Sequence, residues 1–169
     1  MTLPRLVSRL RSRRFGYALA GGLYVVASGA LGFALAQQAL RTVDQITDFS
    51  ASAASGMFRF APDLVRIAPG ETVTFLNSRG SHTVKTQRGL WPEGAPKVDI
   101  AGRLRAEVPF DQPGLYGLIC GRHGKYGMVM LVAVGDVDAT ADDLAEVDSF
   151  RVSALAKAGF RRLLSAVAE

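Results

Sequence analysis

Three scarce side chains of this 169-residue chain fall into a pattern that dictates how the backbone must return on itself. There is one cysteine and there are two histidines. Cys120 and His123 share the run Cys120-Gly121-Arg122-His123-Gly124-Lys125-Tyr126-Gly127-Met128, which reads C-x2-H-x4-M. His82 lies far upstream, in Gly80-Ser81-His82-Thr83-Val84. One thiolate, two imidazoles and a thioether make up the ligand set of a type 1 copper centre. Such a set works only if a distant strand is laid against the loop that carries the other three groups.

The body of the chain supplies short strands separated by turn residues. Met57-Phe58-Arg59-Phe60 stops at Ala61-Pro62, and Leu64-Val65-Arg66-Ile67 stops before Pro69-Gly70. Thr72 to Leu76 alternates and is rich in β-branched residues, and His82 to Thr86 is a further short strand. Residues 87–102 read as irregular, interrupted by Pro92, Gly94 and Pro96. Leu104, Ala106 and Val108 alternate with Arg103, Arg105 and Glu107, the pattern of a half-buried strand. Leu115 to Cys120 and Met128 to Val134 are the last two strands. Many short strands at regular spacing predict an all-β antiparallel sandwich over residues 57–135.

The tail, residues 136–169, changes period. Thr140 with Asp143 predicts a capping box before Leu144 and Val147. Val152, Ala156, Phe160, Leu163 and Val167 then recur at helical spacing, with Arg151, Lys157, Arg161 and Arg162 on the other face. Two helices packed on the sandwich are expected.

Residues 1–36 read as an address. Arg5, Arg9, Arg11, Arg13 and Arg14 precede an uncharged stretch from Phe15 to Ala36, and Ala34-Leu35-Ala36 offers a cleavage pattern. As a helix, 22 residues reach about 33 Å, enough to cross a bilayer core. A cleaved export signal and a retained anchor both fit. Ser12-Arg13-Arg14-Phe15 faintly matches a twin-arginine signal, with the phenylalanine one place early. In every version the arginines stay cytoplasmic and the remainder is exported. Residues 37–56 read as a linker: Leu40, Val43 and Ile46 suggest a short helix, followed by the small residues Ser50 to Gly56.

The five N-terminal arginines account for the whole formal charge of +5. The rest of the chain is neutral and shows no dense basic stripe with interleaved aromatics, which excludes a nucleic-acid binder. A single cysteine excludes a disulfide framework.

The copper reading has chemistry behind it. Cu(I) favours soft sulfur and Cu(II) favours imidazole, so a fixed mixed set serves both states with little rearrangement. The cysteine must bind as thiolate. Met130 competes with Met128 for the weak axial position, because the two lie on one face of one strand. Met128 is nearer the loop and is preferred. With four positions filled, no place is left open for a substrate, which argues against an enzyme.

From about Met57 to the C-terminus the chain resembles the pseudoazurins, blue copper proteins of the cupredoxin superfamily. The resemblance is carried by Ala68-Pro69-Gly70-Glu71-Thr72-Val73-Thr74-Phe75, Gly80-Ser81-His82, Pro92-Glu93-Gly94-Ala95, Gln112-Pro113-Gly114-Leu115-Tyr116, the ligand loop, and Val134-Gly135-Asp136. It implies a Greek-key β-sandwich with a C-terminal two-helix extension. It implies one copper ion on His82, Cys120, His123 and Met128. It also implies a periplasmic carrier of single electrons to an acidic redox protein, such as a nitrite or nitrous oxide reductase, docking around the exposed ligand histidine. Three departures stand out. Thr83 replaces the family's usual Asn, which ties the ligand loops together. Arg122 replaces a proline. The expected ring of lysines is thin, with Arg79, Lys85, Arg88, Lys97, Arg122 and Lys125 as the available cations. The expectation is a monomeric periplasmic carrier, free or tethered to the inner membrane. The alternative is a trafficking or storage module that hands over copper.

Overall fold

The computed structural model describes residues 41–78 and 80–168. The signal or anchor expected over residues 1–36 lies outside the described residues. No helix among those described is long and apolar enough to cross a membrane.

Among the described residues nine strands form two sheets. They are β1 (Thr42–Thr47), β2 (Phe58–Ala61), β3 (Leu64–Ile67), β4 (Glu71–Leu76), β5 (Thr83–Thr86), β6 (Asp99–Ala101), β7 (Arg105–Phe110), β8 (Gly114–Ile119) and β9 (Val129–Val134). One sheet has the order β2-β1-β4-β7 and the other β3-β9-β8-β5-β6. Most pairs are antiparallel, while β1–β4 and β3–β9 run parallel. Two helices follow, α1 (Ala141–Ser149) and α2 (Ala154–Ser165). The predicted β-sandwich with its helical tail is the fold.

Within residues 37–56, read as a short helix and linker, Thr42–Thr47 form a strand. In β1, Val43, Gln45 and Thr47 are buried while Thr42, Asp44 and Ile46 are half-exposed, a period of two. Thr42, Val43, Ile46 and Thr47 are β-branched and suit a pleated surface better than a helix. The strand sits centrally, between β2 and β4. Two smaller readings also change. Asp99–Ala101, inside the stretch read as irregular, forms a short edge strand on β5. Leu104, expected to face inward, is 82% exposed, and the half-buried positions of that run begin at Ala106.

The core has two layers. Between the sheets lie Val43, Phe60, Val73, Phe75, Phe110, Leu118, Met130 and Val132. On the far side of β9, Val129, Leu131 and Ala133 pack against Phe160, Leu163 and Leu164 of α2. Every residue of β9 is therefore buried, which explains its unbroken apolar sequence.

The helices are fixed at their ends. Thr140 Oγ1 accepts from the Asp143 N–H, and the Asp143 carboxylate accepts from the Thr140 N–H, completing the predicted capping box. Ser153 Oγ accepts from the Ala156 N–H at 3.1 Å and caps α2. At the other end Arg66 donates to the carbonyls of Ala166 and Val167, groups a helix terminus leaves unpaired. Gly159 lets α2 approach the sheet, since a Cβ there would lie 2.6 Å from Val129.

Phe160 is fully buried, so Phe160→Ala is expected to destabilise the fold by about 3–5 kcal/mol in urea denaturation. A chain beginning at Met57 would lack a central strand and should show no cooperative unfolding transition, whereas one beginning at Gln37 should unfold cooperatively.

Candidate metal centre

The site is assembled from the ends of strands. His82 immediately precedes β5, Cys120 follows β8, and Met128 precedes β9. The loop between Cys120 and Met128 folds on its own backbone. The Gly124 N–H donates to the Cys120 carbonyl at 2.7 Å, and the N–H groups of Tyr126 and Met128 donate to that of His123 at 2.9 and 3.4 Å. Gly127 closes it with φ at 87°, a left-handed turn that side chains rarely adopt.

This folding brings three expected donors together. Cys120 Sγ lies 4.0 Å from His82 Nδ1 and 3.7 Å from His123 Nδ1, and the two Nδ1 atoms are 3.0 Å apart. Donors that share one ion through bonds of about 2 Å lie at such separations. A soft sulfur with two imidazoles also matches copper chemically. The residues therefore fit the ion.

The fourth donor is settled by register. In the β8–β9 ladder Leu118 faces Met130 and Ile119 faces Val129. One step further, the Cys120 N–H donates to the Met128 carbonyl at 3.0 Å, so Met128 lies opposite Cys120. Facing residues of an antiparallel pair point to one side with Cβ atoms about 5 Å apart. Met130 is one layer deeper, opposite Leu118, and belongs to the core. His82, Cys120, His123 and Met128 form the arrangement of a type 1 copper site.

Burial is uneven across the set. His82 is 2% exposed, and Cys120 and Met128 are fully buried, while His123 is half-buried. Thr47 Oγ1 lies 3.1 Å from His82 Nε2, so the second ring nitrogen is engaged while Nδ1 faces the cysteine. Such an outer contact fixes ring orientation. The His123 ring is stacked flat on Phe58, with centroids 4.0 Å apart and planes at 4°. Tyr126 continues the aromatic surface, 5.3 Å from Phe58, and Lys125 sits over its ring. Burial pushes the His123 pKa down, reinforced by His82, Arg122 and Lys125. The imidazole thus holds a free electron pair at neutral pH, as metal binding requires.

Thr83, the first departure noted in the sequence, faces the cysteine. Its N–H lies 3.5 Å from Cys120 Sγ, and its hydroxyl accepts from the Gly121 N–H at 2.8 Å. Of the cations considered, Arg122 and Lys125 flank His123, and Lys85 packs beside Gly121 while paired with Asp99. Lys97 lines an apolar groove between β6 and β7, and Arg79 lies outside the described residues. Thr47, Phe58 and Tyr126 are contacts that motif spacing could not reveal. Only the strand reading around Phe58 hinted at any of them.

Comparison with known proteins agrees with this geometry. Residues 47–135 match the family described as copper binding proteins, plastocyanin/azurin family. The pseudoazurin of Methylorubrum extorquens is 37% identical over 113 residues, covering 66% of this chain and 76% of that protein. The crystal structure of pseudoazurin from Methylobacterium extorquens AM1 superposes with a TM-score of 0.61 at 33% identity, over 75% of this chain and 97% of that one. Native pseudoazurin from Hyphomicrobium denitrificans gives 0.62 at 27% identity, over 76% and 98%. A sandwich that sets one thiolate, two imidazoles and a thioether at its strand ends, with a two-helix tail and these relatives, belongs to the pseudoazurins of the plastocyanin/azurin family of copper-binding proteins.

Proposed function

We propose that the chain is a periplasmic one-electron carrier that docks on an acidic redox protein through the surface around His123. Copper held by the four residues supplies a couple between Cu(II) and Cu(I). The observation that carries the reading is the uneven burial of the ligands. Three are sealed in the sandwich, and His123 alone reaches toward the surface. An electron entering or leaving has its shortest route through that ring.

The surroundings suit brief docking. Among the described residues the exposed large hydrophobics are Phe49, Leu104 and Leu155. Phe49 follows Thr47, the contact of His82. Leu104 accepts from the Asn77 N–H near Gly80, and Leu155 packs against Gly127 of the ligand loop. Each adjoins a segment that carries or contacts a ligand. Arg122 and Lys125, both exposed, add positive charge beside His123. Charge of this kind raises the encounter rate more than the affinity. The proposed partner is a reductase or oxidase with an acidic docking face.

The copper-loaded domain should show the intense blue absorption of a copper–thiolate bond and a reversible voltammogram. Cys120→Ala should abolish the band. A protein that passes copper rapidly to an apo-acceptor without reversible voltammetry would instead be a trafficking module. Met128→Gln should lower the reduction potential because a harder donor favours Cu(II), while Met130→Leu should leave it unchanged. Charge reversal at Arg122 and Lys125 together should slow oxidation by ferricyanide, a polyanion, by about tenfold at low salt, with the difference shrinking as salt rises.

A further inference from the structure

Thr83 does more at this site than tie two loops. Its side chain is placed between the ligand loop and the sulfur. Thr83 Oγ1 accepts from the Gly121 N–H at 2.8 Å and lies 3.8 Å from Cys120 Sγ. A hydroxyl has one hydrogen and two lone pairs. The Gly121 contact uses a lone pair and leaves the hydrogen available. A metal-binding cysteine is a thiolate, which has no proton to give. Between these two atoms only the hydroxyl can donate.

The Thr83 backbone N–H is a second donor to the same sulfur, at 3.5 Å. Residue 83 is 8% exposed and Cys120 is fully buried, so water competes little for either contact. In a setting of low polarity such contacts count for more than in solvent.

We propose that the Thr83 hydroxyl is a positioning and tuning residue, holding the ligand loop through Gly121 while donating a hydrogen bond to the Cys120 thiolate. The inference rests on the copper reading of the site. Its consequence follows from charge. A donor aimed at the sulfur draws electron density from it and weakens its donation to the metal. The oxidised state needs that donation more, so the contact favours the reduced state. Hydrogen bonding around the cysteine sulfur is a recognised lever on such potentials.

The test compares the copper-loaded wild type with Thr83→Ser, Thr83→Ala and Thr83→Val. Thr83→Ala should move the midpoint potential to a more negative value and raise the exchange rate of the Gly121 amide. Thr83→Ser, which differs from Thr83→Ala only by the hydroxyl, should keep both near wild type. Thr83→Val, with the size of threonine, should follow Thr83→Ala. If Thr83→Val fails to fold, the Ser–Ala pair still isolates the hydroxyl. A wild-type blue band with equal potentials in the Ser and Ala variants would overturn the tuning role and leave the copper reading standing. Unchanged Gly121 exchange in Thr83→Ala would overturn the loop-holding role in the same way. A copper-loaded wild type without the band would overturn the copper reading and this inference with it.

Discussion

The antiparallel pairing of β8 with β9 is the constraint on which the site depends. That ladder ends with the Cys120 N–H on the Met128 carbonyl, placing the thiolate and thioether residues opposite one another. A slip of one residue would turn every side chain of β9 to the other face. Val129 would then point toward the ligands and Met128 toward the helices. A slip would also break the packing on both faces, where Met130, Val132 and Val134 fill the sandwich and Val129, Leu131 and Ala133 lie under α2. The helical tail thus acts on the metal site at a distance, by making slippage costly. It also touches the ligand loop through Ser153, whose hydroxyl donates to the Gly124 carbonyl at 3.4 Å.

The same logic explains the second histidine ligand. His123 belongs to a loop with its own backbone bonds, but its ring plane is set from outside by Phe58 on β2. His82 is set from β1 by Thr47. Each imidazole is oriented by a residue of the opposite sheet, while both ligands continue strands or loops of the β5–β8–β9 sheet.

The legibility of this molecule in its sequence follows the reach of each signal. The ligand types and the loop spacing are local and scarce, so they could be read directly. Strands with alternating or β-branched residues, and the capped tail, were equally plain. β1 was not. Leu40, Val43 and Ile46 imitate a helical repeat, and Gln45 and Thr47 are polar residues on the inward face. Thr47 is inward because His82 is there to meet it, a fact that no window around residue 47 contains. The choice between Met128 and Met130 was open for a related reason. Both lie on one face, and only the pairing partner of each, Cys120 or Leu118, separates them. Leu104 escaped because alternation assigns a face but cannot say where a sheet begins.

β1 also ties the ligand end of the domain to its far end. The strand runs toward the ligands, with Thr47 touching His82. Thr42 begins about 16 Å earlier at an extended rise per residue. There Arg41 pairs with Glu71 at the start of β4. β1 therefore reaches from the far end of the sandwich to the ligand end, so the contact that orients His82 comes from a strand whose start is fixed on β4.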